Sequence, residues 1–486
     1  MRQLLWLRTD LRSQDNTALN AALAAGPTLA VFIITPKQWK THEDSPNKVD
    51  FWLRNLETLQ EQLKKLNIPL LIRYADYWNQ CPAALEALCK EHSITAVHVN
   101  EEYGEHEAQR DKQASEAMLH CGIAWHAHFD QLFFKPGTLL TQSGNYFRVF
   151  SQFRKKALQQ WFQNLPQCLP SPNPQTPTGI TSDPIPKEIK HYSPASACVQ
   201  SQWIAGEDAA HQRLTAFCAE ALLDYQANRD APSLQGTSQL SAYLAAGVLS
   251  PRQCLSAALQ ENQGEFESGQ AGVTTWVNEL LWREFYKHIL VGFPHVSRNQ
   301  PFRLETRHLA WRHAPADLNA WQEGRTGFPI IDAAMRQLTT TGWMHNRLRM
   351  IVSMFLSKNL LIDWRHGERF FMQHLIDGDL AANNGGWQWS ASTGTDAVPY
   401  FRVFNPITQS KTHDPKGTFI RHWLPELAHL SDKDIHQPPM SGVNSVASVY
   451  PSPIVDLKKS RERAIAAFQA LSFPKLETQL EQSELF

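Results

Sequence analysis

Between residues 165 and 194 the chain reads LPQCLPSPNPQTPTGITSDPIPKEIKHYSP, placing eight of its 29 prolines in 30 residues. Proline fixes φ at about −65° and has no N–H to donate, so a segment this dense forms neither a helix nor an inner strand. The chain is therefore divided by an extended linker, and its two sides differ in texture. Before the break, short runs of strand-like composition (3–8, 28–35, 69–74, 95–100 and 123–129) alternate with helical patterns. The clearest helix sets Trp52, Leu56, Leu59, Leu63 and Leu66 on one apolar face. Strands alternating with helices predict a parallel sheet covered on both sides. No GxGxxG or Walker loop follows any strand, so the usual dinucleotide and phosphate signatures are absent. After about residue 200 the strand signal vanishes and an all-α domain is predicted.

At 486 residues the chain is long for one domain, and a hydrophobic content of 42% supplies a sizeable core. No run approaches the about 20 apolar residues of a membrane helix. Arg8 and Asp10 interrupt the N-terminus too early for a signal-peptide core, so a cytoplasmic address is expected. The seven cysteines are scattered without a CxxC pair, which argues against disulfides and zinc. With a net charge of −1, any nucleic-acid partner has to be met by a local basic patch.

Four stretches carry candidate chemistry. In WVNELLWREFYKHIL (276–290), helical phase puts Glu279, Trp282, Arg283 and Tyr286 on one face, with Leu281 and Phe285 turned to a core. In 342–364, Asn346, Arg349, Met350 and Ser353 share a face beside Arg347, fit either to hold a phosphate or to sit as a surface helix. Thr237, Ser238 and Ser241 stand at a predicted helix start, where hydroxyls bind phosphate or simply cap. In DGDLAANNGGWQW (377–389), Asp377 and Asp379 can present both carboxylates to one ligand. Too few acids lie nearby for a metal, and two indoles follow, so a redox ligand is the better reading; core packing of Trp389 stays open.

Those stretches, in the order WLRTDLRSQDN (6–16), GTSQLS (236–241), WREFY (282–286), GFPIIDAAMRQL (327–338), TGWMHNRLRM (341–350), DGDLAANNGGWQW and YFRVFNP (400–406), resemble the DNA photolyase/cryptochrome family. Within it the likeness is to bacterial class I cyclobutane pyrimidine dimer photolyases, and it runs the length of the chain. The resemblance implies an α/β antenna domain (1–135), a linker (136–204), a helical FAD-binding domain (205–475) and a tail (476–486). It implies a lyase that splits cyclobutane dimers in UV-damaged DNA with light and reduced FAD, acting as a monomer.

By the same resemblance FAD is held by Tyr225, Thr237, Ser238, Gln239, Leu240, Ser241, Trp276, Glu279, Arg283, Tyr286, Asn346, Arg349, Asp377, Gly378 and Asp379, with the Asn383 amide facing flavin N5. Gln239 stands where relatives often carry arginine. Glu279, Asn346, Met350, Trp282 and Trp389 would meet the dimer, and Arg229, Trp282, Arg283, Arg347 and Arg402 the DNA. Trp387, Trp364 and Trp311 match the family's electron-transfer chain. His106 and Glu107 stand where folate-type members carry an Asn-Glu pair on the loop after the fourth strand, and Arg298 where a lysine is common. Methenyltetrahydrofolate is the expected antenna, with a deazaflavin or an empty site as the alternative. A cryptochrome lacks need of the Glu279–Trp282–Asn346–Met350 face. A (6-4) photolyase would want an imidazole where Met350 stands, and a non-catalytic flavoprotein would not need the arginines.

Overall fold

The computed structural model describes residues 1–441, 446 and 448–471. Five strands, β1 (Arg2–Leu7), β2 (Thr28–Ile34), β3 (Leu70–Tyr74), β4 (Ile94–Asn100) and β5 (Ala124–His128), form one parallel sheet in the order β3-β2-β1-β4-β5. Every residue of β2 is buried, as a strand covered on both faces requires. Helix Pro46–Lys65 lays its Trp52–Leu63 stripe against one face, and helices Cys81–His92 and Glu105–His120 cover the other. The chain steps outward from β1 to β3, then returns to place β4 beside β1. That reversal opens a crevice at the carboxyl ends of β1 and β4, where doubly wound folds place their ligands.

The proline-rich stretch is extended, but it is not loose. Gln175 N–H donates to Leu66 O at 3.1 Å and Asp183 N–H to Leu70 O at 3.0 Å, while the Asp183 carboxylate accepts from Ile72 N–H at 2.9 Å. The segment thus runs along the outer edge of β3. The expected 136–204 linker also contains two helices, Phe150–Gln163 and Ala197–Gln202, because Phe153, Leu158 and Trp161 form an apolar face that enters the main core.

Beyond residue 204 the structure is helical. The main core joins sheet residues such as Leu5 and Phe32 to Trp276, Leu281 and Phe285 of helix Ala271–Gly292, so both halves share it. A buried charge cluster marks the junction. Arg252 Nε donates to Asp15 at 2.9 Å and its Nη2 to Asp130 at 2.9 Å, and Arg12 donates to Asp130 at 2.5 Å. No described helix is long and apolar enough to cross a membrane. The expected tail, 476–486, lies outside the described residues, as do positions 472–475.

Candidate active site

Helix Ala271–Gly292 divides as its phase predicts: Leu281 and Phe285 are fully buried, and Glu279, Trp282, Arg283 and Tyr286 are half-buried along one stripe. Trp276 and Tyr225 both pack on Phe217, at 5.0 and 5.8 Å between centroids, and make an apolar wall. Glu279 accepts from Arg229 Nη1 at 2.7 Å. Burial raises the Glu279 carboxyl above its ordinary range, and Arg229 only partly opposes this. Trp282 lies flat on Phe150, with centroids 3.8 Å apart and planes at 11°, so a residue of the expected linker covers one indole face. Arg283 Nη1 donates to Gln131 O at 3.0 Å and its charge bears on Asp379, so it bridges the two halves.

Helix Asn346–Met354 begins with an exposed Asn346, followed one turn later by a half-buried Met350. His345 stands ahead of this helix as its N-cap, its Nδ1 accepting from Arg347 N–H at 3.2 Å. Burial pushes that imidazole down to about 4, so it stays neutral. Arg349 donates to Met344 O at 2.8 Å and to Asp377 Oδ2 at 2.7 Å. The other Asp377 oxygen, Oδ1, is buried with no protein partner, the mark of a carboxylate that awaits a ligand's donor. Arg347 pairs with Asp230 at 2.5 Å.

The Asp-Gly-Asp turn leads into helix Leu380–Ser390, whose N-cap is Asp379. Asp379 accepts from Ala382 N–H at 3.0 Å and from Lys287 Nζ at 2.5 Å. Burial would raise its carboxyl, but Lys287 and Arg283 hold it well below the usual range. With one cation on each aspartate, the turn is a poor metal site, and among the described residues no cluster of three or more His, Cys, Asp or Glu side chains could hold a metal. Asn383 Nδ2 donates to Glu368 O at 3.0 Å, which fixes the amide while its carbonyl oxygen accepts no bond from the described residues. A Cβ on Gly385 would stand 2.3 Å from the Tyr286 ring, whereas one on Gly386 would meet nothing within 4 Å. The two indoles part company: Trp387 is buried against Trp321 and Phe371, and Trp389 is half-buried.

Gln239 holds a left-handed φ of 50° in the turn before a five-residue helix, Ser241–Ala245. That helix has Leu240 before it and no side-chain cap, so the hydroxyls of Thr237 and Ser238 are not spent on capping. Gln239 Oε1 accepts from Arg213 at 3.0 Å, which restores a guanidinium beside the turn, and Ser241 accepts from Trp343 Nε1 at 3.4 Å.

Trp364 and Trp387 lie in one apolar cluster, with the half-exposed Trp311 packed against it. At the switch-point crevice, a cavity of about 330 Å³ is lined by Arg8, Glu102, His106 and Glu107 on one side and by Arg283, Gly378 and Asp379 on the other. His106 and Glu107 belong to the first turn of helix Glu105–His120 and not to the preceding loop. His106 Nδ1 faces His42 Nε2 at 3.1 Å, and burial beside Glu102 raises the Glu107 carboxyl. Arg298 pairs with Glu105, outside the cavity lining.

Sequence reasoning missed Phe150, Lys287, Arg213 and Glu368, because each acts on a residue far along the chain and none sits in a periodic pattern. It also missed the chain Glu368–Asn384–Gln388, in which Asn384 donates to Glu368 at 3.1 Å and Gln388 to Asn384 at 2.8 Å. Spacing carried one signal, since Asn384 and Gln388 are one helical turn apart.

Residues 3–174 match the family described as DNA photolyase, and residues 276–470 match the FAD binding domain of DNA photolyase. The chain is 43% identical over 470 residues to the deoxyribodipyrimidine photo-lyase of Escherichia coli (strain K12), covering 96% of this chain and 98% of that one. It is 43% identical over 475 residues to the protein of the same name from Vibrio cholerae serotype O1, covering 96% and 99%. A bacterial class III photolyase from Agrobacterium tumefaciens superposes with a TM-score of 0.87 at 32% identity, covering 97% of each chain. A cryptochrome from Synechocystis sp. PCC6803 gives 0.83 at 28%, covering 96% and 99%. The cofactor of the chain is FAD, and the residues present fit such a group: Asp377 offers a buried carboxylate oxygen without a protein partner, Thr237 and Ser238 hydroxyls not spent on capping, and Gly386 an open face. By sequence along nearly its whole length, and by fold, the chain belongs to the DNA photolyase family.

Proposed function

We propose that the protein repairs cyclobutane pyrimidine dimers in UV-damaged DNA under blue light. The observation that carries this reading is that Arg229 holds Glu279 while the next residue, Asp230, holds Arg347, which links the half-buried Glu279–Trp282 stripe to the helix of Met350. Bound and reduced, FAD supplies the electron that light moves to the cyclobutane ring. The chain's own residues do the rest. Trp282, braced by Phe150, and Trp389 offer apolar walls to a dimer turned out of the duplex, and extrusion of a damaged pair is cheaper than that of intact bases. Glu279, whose carboxyl burial raises, meets one pyrimidine edge, where its protonated form would donate to a carbonyl, and Asn346 reaches the other base edge. Arg229 and Arg347 exchange their acidic partners for phosphates, while Arg402 is exposed and ready. Asp377 and Arg349 anchor FAD, and Asn383 tunes it with a neutral amide.

Trp387, Trp364 and Trp311 carry electrons inward to an oxidised cofactor; the first two are buried and Trp311 reaches solvent. The interface cavity takes a second chromophore, methenyltetrahydrofolate, whose ring would meet His42, His106 and Glu107. The test uses purified, photoreduced protein, a thymine-dimer oligonucleotide and blue light. Loss of dimer only in the illuminated sample is expected, and no loss sinks the reading. Trp311→Phe is expected to stop photoreduction of the oxidised protein while sparing repair by chemically reduced protein; equal loss of both would remove Trp311 from the chain.

A further inference from the structure

Lys358 is fully buried, on a π-helical turn (Phe355–Asn359) that directly continues helix Asn346–Met354. Its Nζ donates to Arg402 O at 2.9 Å and to Pro399 O at 3.4 Å. Both carbonyls belong to one tight turn, closed by Arg402 N–H donating to Pro399 O at 2.9 Å. That turn shows solvent the exposed side chains of Phe401 and Arg402. Its flanks are tied to the pocket: Val398 N–H donates to Trp389 O at 3.3 Å, and Phe404 N–H approaches Met354 Sδ at 3.2 Å.

Among the described residues no carboxylate pairs with this ammonium. The buried and half-buried charges on the packed elements are committed elsewhere, and Lys458, Lys459, Arg461 and Glu462 of helix Leu457–Gln469 are exposed. Arg349 on the preceding helix pairs with Asp377, and Glu368 on helix Trp364–Met372 accepts from Asn384. Arg463 on helix Leu457–Gln469 donates to Asn359 O. Arg402 itself bears on Lys358, and repels it. A buried cation without a counter-ion is costly, and a fold that retains one for two backbone carbonyls gains the placement of those carbonyls.

We propose that Lys358 is a positioning residue, which clamps the 399–402 turn so that Phe401 and Arg402 stand at a fixed height beside Trp389, and that its positive charge sets affinity for damaged DNA without entering the chemistry. The inference rests on the reading that Arg402 faces DNA. Burial, and then Arg402, push the ammonium down to about 7, so the clamp loses charge just above neutrality. A neutral amine still donates, but the charge-assisted part of both bonds goes. The sign for stability is opposite. An unfolded lysine keeps its proton to about pH 10, so loss of the buried proton above pH 7 relieves the fold while it loosens the turn.

The experiment measures binding of FAD-loaded protein to a dimer-containing duplex between pH 6 and 9, beside thermal stability and repair yield at saturating protein. Wild type is expected to weaken about tenfold across this range, with unchanged or rising stability. Lys358→Met is expected to bind about tenfold more weakly at pH 6.5, with a flat pH profile, a salt slope lower by about one and wild-type repair yield once bound. Lys358→Arg should recover affinity and lose the pH dependence. A wild-type profile flat from pH 6 to 9 overturns the proposal without any variant, as does a Lys358→Met protein with wild-type affinity or wild-type pH dependence. Arg402→Ala separates the two layers. If it binds normally, the DNA-facing reading fails and the inference with it; if it binds weakly while Lys358→Met does not, only the inference fails.

Discussion

Single side chains carry opposite duties in this pocket because burial acts on them differently. Glu279 keeps a cation at 2.7 Å and is still raised, whereas Asp379, paired with Lys287 at 2.5 Å and under the charge of Arg283, is held low. The one is pushed toward its protonated form and the other away from it. Glu279→Ala is expected to lower repair yield about tenfold while FAD stays bound, since the lost interaction strengthens only as charge develops on the dimer. An unchanged yield would remove Glu279 from the chemistry. Glu368 gives a second test. Burial raises its carboxyl to about 7, well above its unfolded value, so the folded chain keeps a proton that the unfolded chain releases. Stability from this group is full below about pH 4.5 and is lost as pH rises to about 7, a change of at most about 3 kcal/mol. Thermal unfolding at pH 5 and pH 8 should show that loss in wild type and a smaller one in Glu368→Gln; equal losses would contradict it.

At the scale of elements, helix Ala271–Gly292 and helix Leu380–Ser390 include one contact between them that admits no side chain, Gly385 on the Tyr286 ring. Gly385→Ala would put a methyl 2.3 Å from the Tyr286 ring, so the helices must separate. The expected result is loss of FAD retention and a cost of about 1–3 kcal/mol in stability; Gly386→Ala, facing open space, should fold normally and fail only in flavin content. Retention of flavin by Gly385→Ala would refute the close packing. Such elements were legible in the sequence to different degrees. All five strands could be read from short runs of strand-like composition; β1, β2 and β4 are covered on both faces and so nearly continuously buried, whereas the edge strand β5 is largely exposed, and the 69–74 run became Leu70–Tyr74. The Glu279 stripe followed from helical period alone. What period cannot encode is a partner far along the chain: Asp15 with Arg252, Trp282 with Phe150, Lys358 with Arg402's carbonyl. Trp387 and Trp389 could be separated only once helix Leu380–Ser390 had been docked, because two positions apart on a helix fixes that they differ without saying which is inside.

For the whole molecule, the junction decides whether there are two folding units or one. A shared core and the buried Arg12–Asp15–Asp130–Arg252 cluster tie sheet to bundle. Arg252→Ala leaves two buried carboxylates short of a cation and is expected to cost about 3–5 kcal/mol. Wild type should lose tryptophan burial and flavin in a single thermal transition, and two separate transitions would show the halves to be independent. The proline-rich strip along β3 bears on how such a molecule is made. Until residues 175–183 have left the ribosome, the sheet has an edge with open N–H and C=O groups, flanked by apolar strands. A nascent chain paused before that point exposes a template for pairing with its neighbours, and translation of roughly fifty residues beyond β5 closes it. The segment with the least regular structure in the protein is thus the one that ends its most aggregation-prone moment.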